Sequence, residues 1–400
     1  MALTPVAEAL EMILRAAKHL PTEPVKLKDA HGRILAKAIT ARRDQPPFDA
    51  SAMDGYAVRT EDAAEGAILK LAGVSAAGHG FAGTVKPGQA IRILTGAPLP
   101  KGADAIVIQE NASLDNNALR INKAAVPLRH IRKRGLDFKV GDVLVPENVK
   151  LNGRDIALAA SSGAATVSVR RKPRVAIITT GDELVEPGAK PRADQIFSSN
   201  TFALEAMLKS WGAETINLGI IKDSLKSTAS AIARALKSSD LLVTTGGASV
   251  GDHDFVQAAL KQTGFKIGFW KIAMRPGKPL MFGTKGKFLA LGLPGNPVAA
   301  MICARLFLYP LLCKMAGTSA DIPEATAILE TALPANDERQ DYVRATLSHL
   351  ADGRRTANPA AIQDSSMQRT LRLAQALIIR EPLAPPAKKG DIVPILLLDF

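Results

Sequence analysis

The sequence predicts a multidomain protein of the α/β plus β class: a central doubly wound α/β domain, an inserted mainly β domain, an elongated connecting region and a small C-terminal β domain. Three observations carry that expectation. The 400 residues exceed the size at which one hydrophobic core keeps growing, so two to four domains are expected. Residues 173–315 alternate strand-like and helix-like runs, which implies parallel strands joined by crossover helices. On either side, residues 46–140 and 323–400 hold short β-rich runs separated by Gly, Pro and Asn/Asp turn signals.

The elements follow in order. Residues 1–20 hold an amphipathic helix, expected to lie on the α/β domain or the connecting region. Thr4 is its expected N-cap, Pro5 its first helical residue, and Val6, Leu10, Ile13, Leu14 and Ala17 its apolar stripe. Segments 21–45 and 141–172 flank the insert and are expected to pair as the connecting region. Within the insert, 46–140, strands are expected at 67–72, 90–94, 105–109 and 118–122.

The α/β domain, 173–322, begins with a strand from Val175 to Thr179. It continues through a helix from Asn200 to Trp211, a strand from Thr215 to Ile221 and a helix from Leu225 to Leu236. The continuous apolar run Leu241 to Thr245 indicates a strand buried on both faces. A helix over 253–262, strand-like segments 266–273, 280–283 and 287–293, and a helix from Pro297 complete the domain. After Pro323, runs at 326–331, 342–348, 376–380 and 391–398 predict a small all-β domain.

Composition narrows the function classes. Hydrophobic residues at 47% and charged residues at 22% describe a folded globular chain. Two cysteines, Cys303 and Cys313, are too few for a disulfide framework or a zinc cluster and suit a reducing cytoplasm. No signal peptide is read. The longest apolar run, Pro297 to Cys313, is interrupted by Arg305 and Pro310, so it reads as a buried helix of a soluble protein, with no membrane partner. The formal charge is +13, yet aromatics are only 4% and no zinc-finger or RNA-recognition pattern accompanies it. A positive field also attracts small polyanions, so a specific nucleic-acid partner is not expected.

Five segments could carry chemistry. In TTGDELVEPG (179–188), Gly181 permits a turn at a strand end, Asp182 reads as a cap, and Glu183 can bind a hard cation or act as a base. The following FSSN (197–200) ends in an expected N-cap facing the same crevice. In TTGGASVGDHDF (244–255), Gly246, Gly247, Ser249 and Gly251 form a backbone-rich loop suited to phosphate. His253 there lacks a second histidine at ligand spacing and reads as structural. In GIIKDS (219–224), helix capping by Asp223 or Ser224 is the cheaper explanation. Even so, Glu183, Asp223 and Asp254 would converge from three successive strands, an arrangement capping alone does not need and one that Mg²⁺ can use when it bridges to substrate phosphates. MRPGKP (274–279) and LPGNP (293–297) are rigid turns carrying Arg275 and Lys278, with Lys271 nearby; Lys278 is the preferred anion contact. FDASAMDGYA (48–57) and LTGAPLPKGADAIV (94–107), with Asp54 and Thr95, name no reaction by residue chemistry alone.

Taken together, SAMDGYA (51–57), TGAPLPKGAD (95–104), RKRGLDFKVGD (132–142), TGDEL (180–184), GGASVGDHD (246–254), PGKP (276–279) and LPGNP (293–297) resemble the molybdopterin molybdenumtransferase family, the MoeA-type enzymes related to the gephyrin E domain. Their order covers the chain from about residue 5 to 320. The resemblance implies a cytoplasmic transferase that inserts molybdate into adenylyl-molybdopterin, releasing AMP and the molybdenum cofactor, and makes 173–322 a molybdopterin-binding domain. It places Asp54, Thr95, Glu183, Asp223 and Asp254 at active-site positions. It also assigns Pro276, Gly277, Pro294 and Pro297, with the glycine loop, Lys271, Arg275 and Lys278, to the binding surface. An elongated homodimer is implied, with Asp54 and Thr95 acting across the interface, and the molybdopterin adenylyltransferase and other cofactor-biosynthesis proteins are the implied further partners. Five positions depart from the family pattern: Ser224 and Leu136 stand where acids are common, Ala248 and Ala299 where bulkier or hydroxylic residues are frequent, and Arg275 where lysine is frequent. The alternatives are the sister adenylyltransferase, a related nucleotide-pyrophosphate hydrolase, and a non-enzymatic gephyrin-like scaffold. Those first two carry GGTG- or GGLGPT-type loops, where this chain reads GGASVGDHD.

Overall fold

The structure is a computed structural model, and it describes residues 3–247, 255–320 and 322–400. The chain divides into two compact units. One comprises the N-terminal stretch to Glu23, Gly32–Ile34 and Arg170–Phe400; the other comprises Pro24–His31 and Leu35–Val169.

The smaller unit contains a six-stranded mixed sheet. Its order is Ala105–Ile108, Gly55–Val58, Gln89–Ile93, Ile68–Ser75, Ala118–Ile121, Ala112–Asp115. Gly55–Val58 and Ala112–Asp115 lack an alternating pattern, which is why the sequence did not announce them. All four residues of Gly55–Val58 are buried, because the strand lies between two neighbours and is covered on both faces. The two flanking segments do pair, through Thr40 with Val143 and Ile39 with Val145. A helix, Gly153–Ser161, completes this region. It is fixed at its start by a capping box in which Asn152 and Asp155 satisfy each other's backbone N–H groups. Leu35, Ile39, Val145, Leu151, Val167 and Val169 form its core.

In the larger unit, four parallel strands stand in the order Glu214–Ile221, Arg174–Thr180, Leu241–Thr245, Phe288–Leu293, and Met281–Lys285 and Lys266–Trp270 follow antiparallel. The antiparallel edge departs from a purely parallel doubly wound sheet. A two-residue turn after Lys285 returns the chain at once to Phe288, leaving no room for a crossover helix. Leu241–Thr245 is buried at every position, as its apolar run predicts. Helices Asn200–Ser210, Leu225–Ser238 and Phe255–Gln262 flank the sheet.

Thr4 does not cap the first helix, Val6–Ala16. Its N–H donates to the Lys271 carbonyl at 3.3 Å and its own carbonyl accepts from Ala273 at 2.8 Å, so it is extended and Pro5 takes the cap position. Pro297–Ala316 is long and apolar enough to cross a membrane but is mostly buried within the protein, with a π-helical turn at Ala304–Leu308.

The C-terminal residues close a five-stranded barrel. Gln340–His349 pairs with both Arg355–Pro359 and Ala376–Arg380, and Glu324–Leu329 and Ile392–Leu397 complete the ring. The expected all-β region also holds one short helix, Gln368–Leu373. Barrel residues Tyr342, Leu377 and Leu396, with Leu371 of the short helix, share a continuous core with the first helix and the α/β sheet. Met274–Arg275, from the α/β part of the chain, adds in parallel to the barrel strand at Gln340 and Asp341. That addition brings the barrel to the edge of the site.

Candidate active site

The carboxyl ends of the parallel strands open onto a cleft of about 650 Å³, where open α/β sheets bind ligands. Glu183 and Asp223 enter it from neighbouring strands. The chain leaves the first strand through Gly181 at φ 146°. A Cβ on Gly181 would stand 2.6 Å from a Glu183 carboxylate oxygen, so glycine leaves space for that carboxylate over the strand end. Asp182 does not cap a helix. Its Oδ1 accepts the Asp223 N–H at 3.3 Å and ties the two strand ends together. Ser224 is the cap of Leu225–Ser238, with Oγ accepting from Ser227 N–H at 3.2 Å. Asn200 is likewise not a cap. It is the first helical residue, and its amide Nδ2 donates to the Gly295 carbonyl at 2.7 Å.

Gly246 and Gly247 line the cleft with Thr180. Cβ atoms there would lie 2.5 Å from the Thr180 carbonyl and 2.4 Å from Val256, so this loop lies flush against the first strand as only glycine allows. Ser249, Gly251 and Asp254, with Asp252 and His253, lie outside the described residues. Among the described residues no three metal-ligating side chains cluster. Glu183 and Asp223, two members of the expected trio, do share the cleft. One or two carboxylates with phosphate oxygens and waters are the usual Mg²⁺ environment, so these hard oxygen donors fit that ion.

A second part of the lining is basic. Arg275, Pro276, Gly277 and Lys278 all line it, as does Arg339 of the barrel. The Arg275 guanidinium is already engaged, at 2.5 Å from Asp341 and 3.2 Å from both Asp337 and Asn336. These bonds hold the PGKP turn to the barrel, and the Asp341 contact raises the Arg275 pKa. Arg339 is held by Asp337 at 2.6 Å. The Asp337 carboxyl falls to about 2, chiefly through the Arg339 side chain and then the Arg339 N–H. Lys278 is exposed; its carbonyl accepts the Ile272 N–H at 2.9 Å, while its ammonium has no hydrogen-bond or ion-pair partner among the described residues. Lys271 does not line the cleft; its ammonium rests over the Trp270 ring, 4.9 Å from the centroid. Pro294, Gly295 and Asn296 of LPGNP reach the cleft, whereas Pro297 opens the helix behind it. A third wall comes from Gln363, Asp364 and Ser365.

Gly277 shows how tightly the basic wall is built. With φ 121°, its missing Cβ would meet the buried Cys303 Sγ at 2.5 Å. In Gly277→Ala, the overpacking and backbone strain together should cost about 1–3 kcal/mol. A lowered thermal midpoint with weakened substrate binding checks this.

Three family models match in succession: the MoeA N-terminal region (domain I and II) over 4–163, a probable molybdopterin binding domain over 176–314, and the MoeA C-terminal region (domain IV) over 326–398. The molybdopterin molybdenumtransferase of Nostoc sp. is 39% identical over 342 residues, covering 83% of this chain and 78% of that protein. That of Haemophilus influenzae is 34% identical over 377 residues, covering 94% and 93%. The chain belongs to the molybdopterin molybdenumtransferase family. It is a transferase that inserts molybdenum into molybdopterin. The crystal structure of the molybdopterin biosynthesis MoeA protein from Pyrococcus horikoshii matches with a TM-score of 0.88 at 30% identity, covering 100% of each chain.

In the smaller unit of the transferase, Asp54 and Thr95 meet each other. The Thr95 N–H and Oγ1 both donate to Asp54 Oδ1, at 2.6 and 2.7 Å. The Thr95 hydroxyl, its N–H and the nearby Arg92 charge hold the Asp54 carboxyl below its ordinary value. Thr95→Val removes the first and largest of these. The Asp54 pKa should rise toward the ordinary 3.8, read by NMR titration of the carboxyl carbon. The bond to ionised Asp54 then contributes stability above the unfolded pKa and loses it as pH falls through the depressed folded pKa.

Sequence reasoning missed Arg339, Gln363, Asp364, Ser365 and Asn296. The barrel residues sit in no local motif and reach the cleft only through the pairing of Met274–Arg275 with the barrel. Asn296 lay inside a turn already singled out, and its 2.7 Å bond from Nδ2 to Ser365 Oγ is a long-range contact.

Proposed function

We propose that the cleft takes adenylyl-molybdopterin and molybdate, places molybdenum on the dithiolene, and hydrolyses the adenylyl link to release AMP. The observation that carries this reading is that one cleft is lined both by the strand-end acids Glu183 and Asp223 and by the basic residues Lys278 and Arg339. Basic side chains suit a compact dianion such as molybdate. The glycine turns at Gly181 and Gly246 suit a phosphate brought close to backbone. Glu183 and Asp223, with Asp254, are the residues that would hold Mg²⁺; when bound, the ion neutralises charge on the leaving phosphate. Glu183 and Asp223 bound the strand-end part of the cleft, and Lys278 of the PGKP turn supplies an exposed ammonium for the anion.

A homodimer completes the reading, with Asp54 and Thr95 of one copy serving the cleft of the other. Phe48 and Met53, beside Asp54, are 40% and 42% exposed, and Ile196, Phe197 and Phe202 of the larger unit are 60%, 49% and 51% exposed. Large apolar side chains left in water at these places are the material of a subunit interface. Substrate delivery by the adenylyltransferase and a cytoplasmic location belong to the same proposal.

The test is incubation with adenylyl-molybdopterin, molybdate and Mg²⁺, following AMP release and reconstitution of an apo-molybdoenzyme. Molybdate-dependent AMP release that stops on chelation and returns with Mg²⁺ is expected. AMP transfer from ATP to molybdopterin would instead assign the sister adenylyltransferase activity, and binding without turnover would assign a scaffold.

A further inference from the structure

The strand Thr166–Arg170 pairs along one edge with Thr22–Lys26. On that side the Ala165 carbonyl accepts the Leu27 N–H at 3.0 Å and the Arg171 N–H donates to the Pro21 carbonyl at 2.9 Å. Odd-numbered residues therefore turn their backbone groups to that neighbour, and even-numbered residues turn theirs to the opposite edge. At the opposite edge the Ser168 carbonyl accepts the Ala36 N–H, and the Arg170 N–H donates to the Ile34 carbonyl, both at 2.9 Å. The pairing then stops. Beyond Ala36 the chain leaves this strand, and Ile39 and Thr40 pair with Val145 and Val143 instead.

The two segments splay apart around an opening of about 260 Å³ in the smaller unit. The Thr166 N–H and carbonyl and the Ser168 N–H turn toward it and have no hydrogen-bond partner among the described residues. A strand edge left open in this way is a template for another strand. Ile39, Ala164 and Val167 give the opening a buried apolar lining, and Lys37 and Arg42 are exposed at it. Neither cation makes an ion pair or side-chain hydrogen bond among the described residues, and no carboxylate lines the opening. None of these residues lines the cleft of the larger unit.

The free groups select the occupant. An inorganic anion would use the two cations and the N–H groups, but would leave the Thr166 carbonyl facing negative charge. An extended peptide satisfies N–H and carbonyl together, and carboxylates on it match the cations. We propose that this opening is a docking slot for an extended acidic segment of a partner protein, which adds as a short strand beside Thr166 and Ser168 and sets its carboxylates against Lys37 and Arg42.

The test is fluorescence anisotropy of the full chain with a dye-labelled peptide of alternating glutamate and valine, about five residues long to match a usual strand, at low salt. Saturable binding is expected, weakened about tenfold or more by Thr166→Pro, which removes one main-chain donor. Thr166 opens its strand, where proline is tolerated, and its N–H takes no part in the pairing with Thr22–Lys26, so the thermal midpoint should stay near wild type. The same peptide N-methylated at its central residue should bind wild type equally weakly, and it carries the test if Thr166→Pro does not fold. The double variant Lys37→Glu, Arg42→Glu should lose the acidic peptide and gain one with lysine in place of glutamate, which separates the slot from the general attraction of a chain of charge +13. Absence of binding to wild type, or binding that ignores both Thr166→Pro and N-methylation, overturns the proposal. Inorganic phosphate that displaces the peptide at equal concentration would assign the opening to a small anion and overturn it as well.

Discussion

Glu183→Gln is expected to fold normally and to lose about 10²–10³-fold in kcat/KM for molybdate-dependent AMP release, the loss seen when one electrostatic contact to developing charge is removed. The substitution keeps shape and removes only charge. The carboxylate is exposed at the cleft, and the local turn is held by backbone bonds, including Ile196 N–H to the Glu183 carbonyl at 2.8 Å. Those bonds survive, so the thermal midpoint should stay within a degree or two of wild type by the usual behaviour of exposed sites. Asp223→Asn should behave alike. If both acids serve one cation, the double variant should lose far less than the product of the single losses. Initial rates across a Mg²⁺ titration check this, since a weakened cation site is partly restored by excess ion. Wild-type rates in both variants would remove these acids from the active site.

Asp399→Ala is expected to give the largest stability loss of any single surface carboxylate. Arg305 is 1% exposed inside the long helix Pro297–Ala316, and its guanidinium lies 4.4 Å above the Tyr309 ring. Its Nε and Nη2 donate to the two Asp399 oxygens at 2.6 and 2.9 Å. Removing the carboxylate leaves a desolvated cation without its bidentate partner, which costs about 3 kcal/mol when the partner is partly solvated. For a unit of this size the thermal midpoint should fall by roughly 6–12 °C. Arg305→Met should cost less. It removes the buried charge and leaves Asp399, 43% exposed, in water. Thermal denaturation of both variants tests the ordering, and the reverse order would show that packing of the arginine stem dominates.

Much of the fold was legible because its signals are local. The runs at Val175, Thr215 and Leu241 are regular enough to specify strands, each appears within a residue or two of the expected place, and the continuous apolar run at Leu241 also specifies burial on both faces. Glu183 and Asp223 were legible as a pair because the sheet topology sends neighbouring strand ends to one edge. The antiparallel edge, the fully buried Gly55–Val58 strand and the barrel closure were not legible, since each depends on what lies beside a segment. The same reason hid Arg339 and the 363–365 wall. Arg275 shows the limit from the other side. Its charge was visible in the sequence, but not the two aspartates and the asparagine that engage it. Asp54 and Thr95 share a hydrogen-bonded pair that no spacing rule announced.

The most direct test of the account is a crystal structure with AMP and tungstate, the heavier analogue of molybdate, located by its anomalous scattering. The account predicts tungsten against Lys278 and Arg339 in the 650 Å³ cleft, with the AMP phosphate on the Glu183 and Asp223 side. Tungsten and AMP bound elsewhere, for example in the 620 Å³ apolar groove lined by Met207, Met301, Leu371 and Phe400, would contradict it.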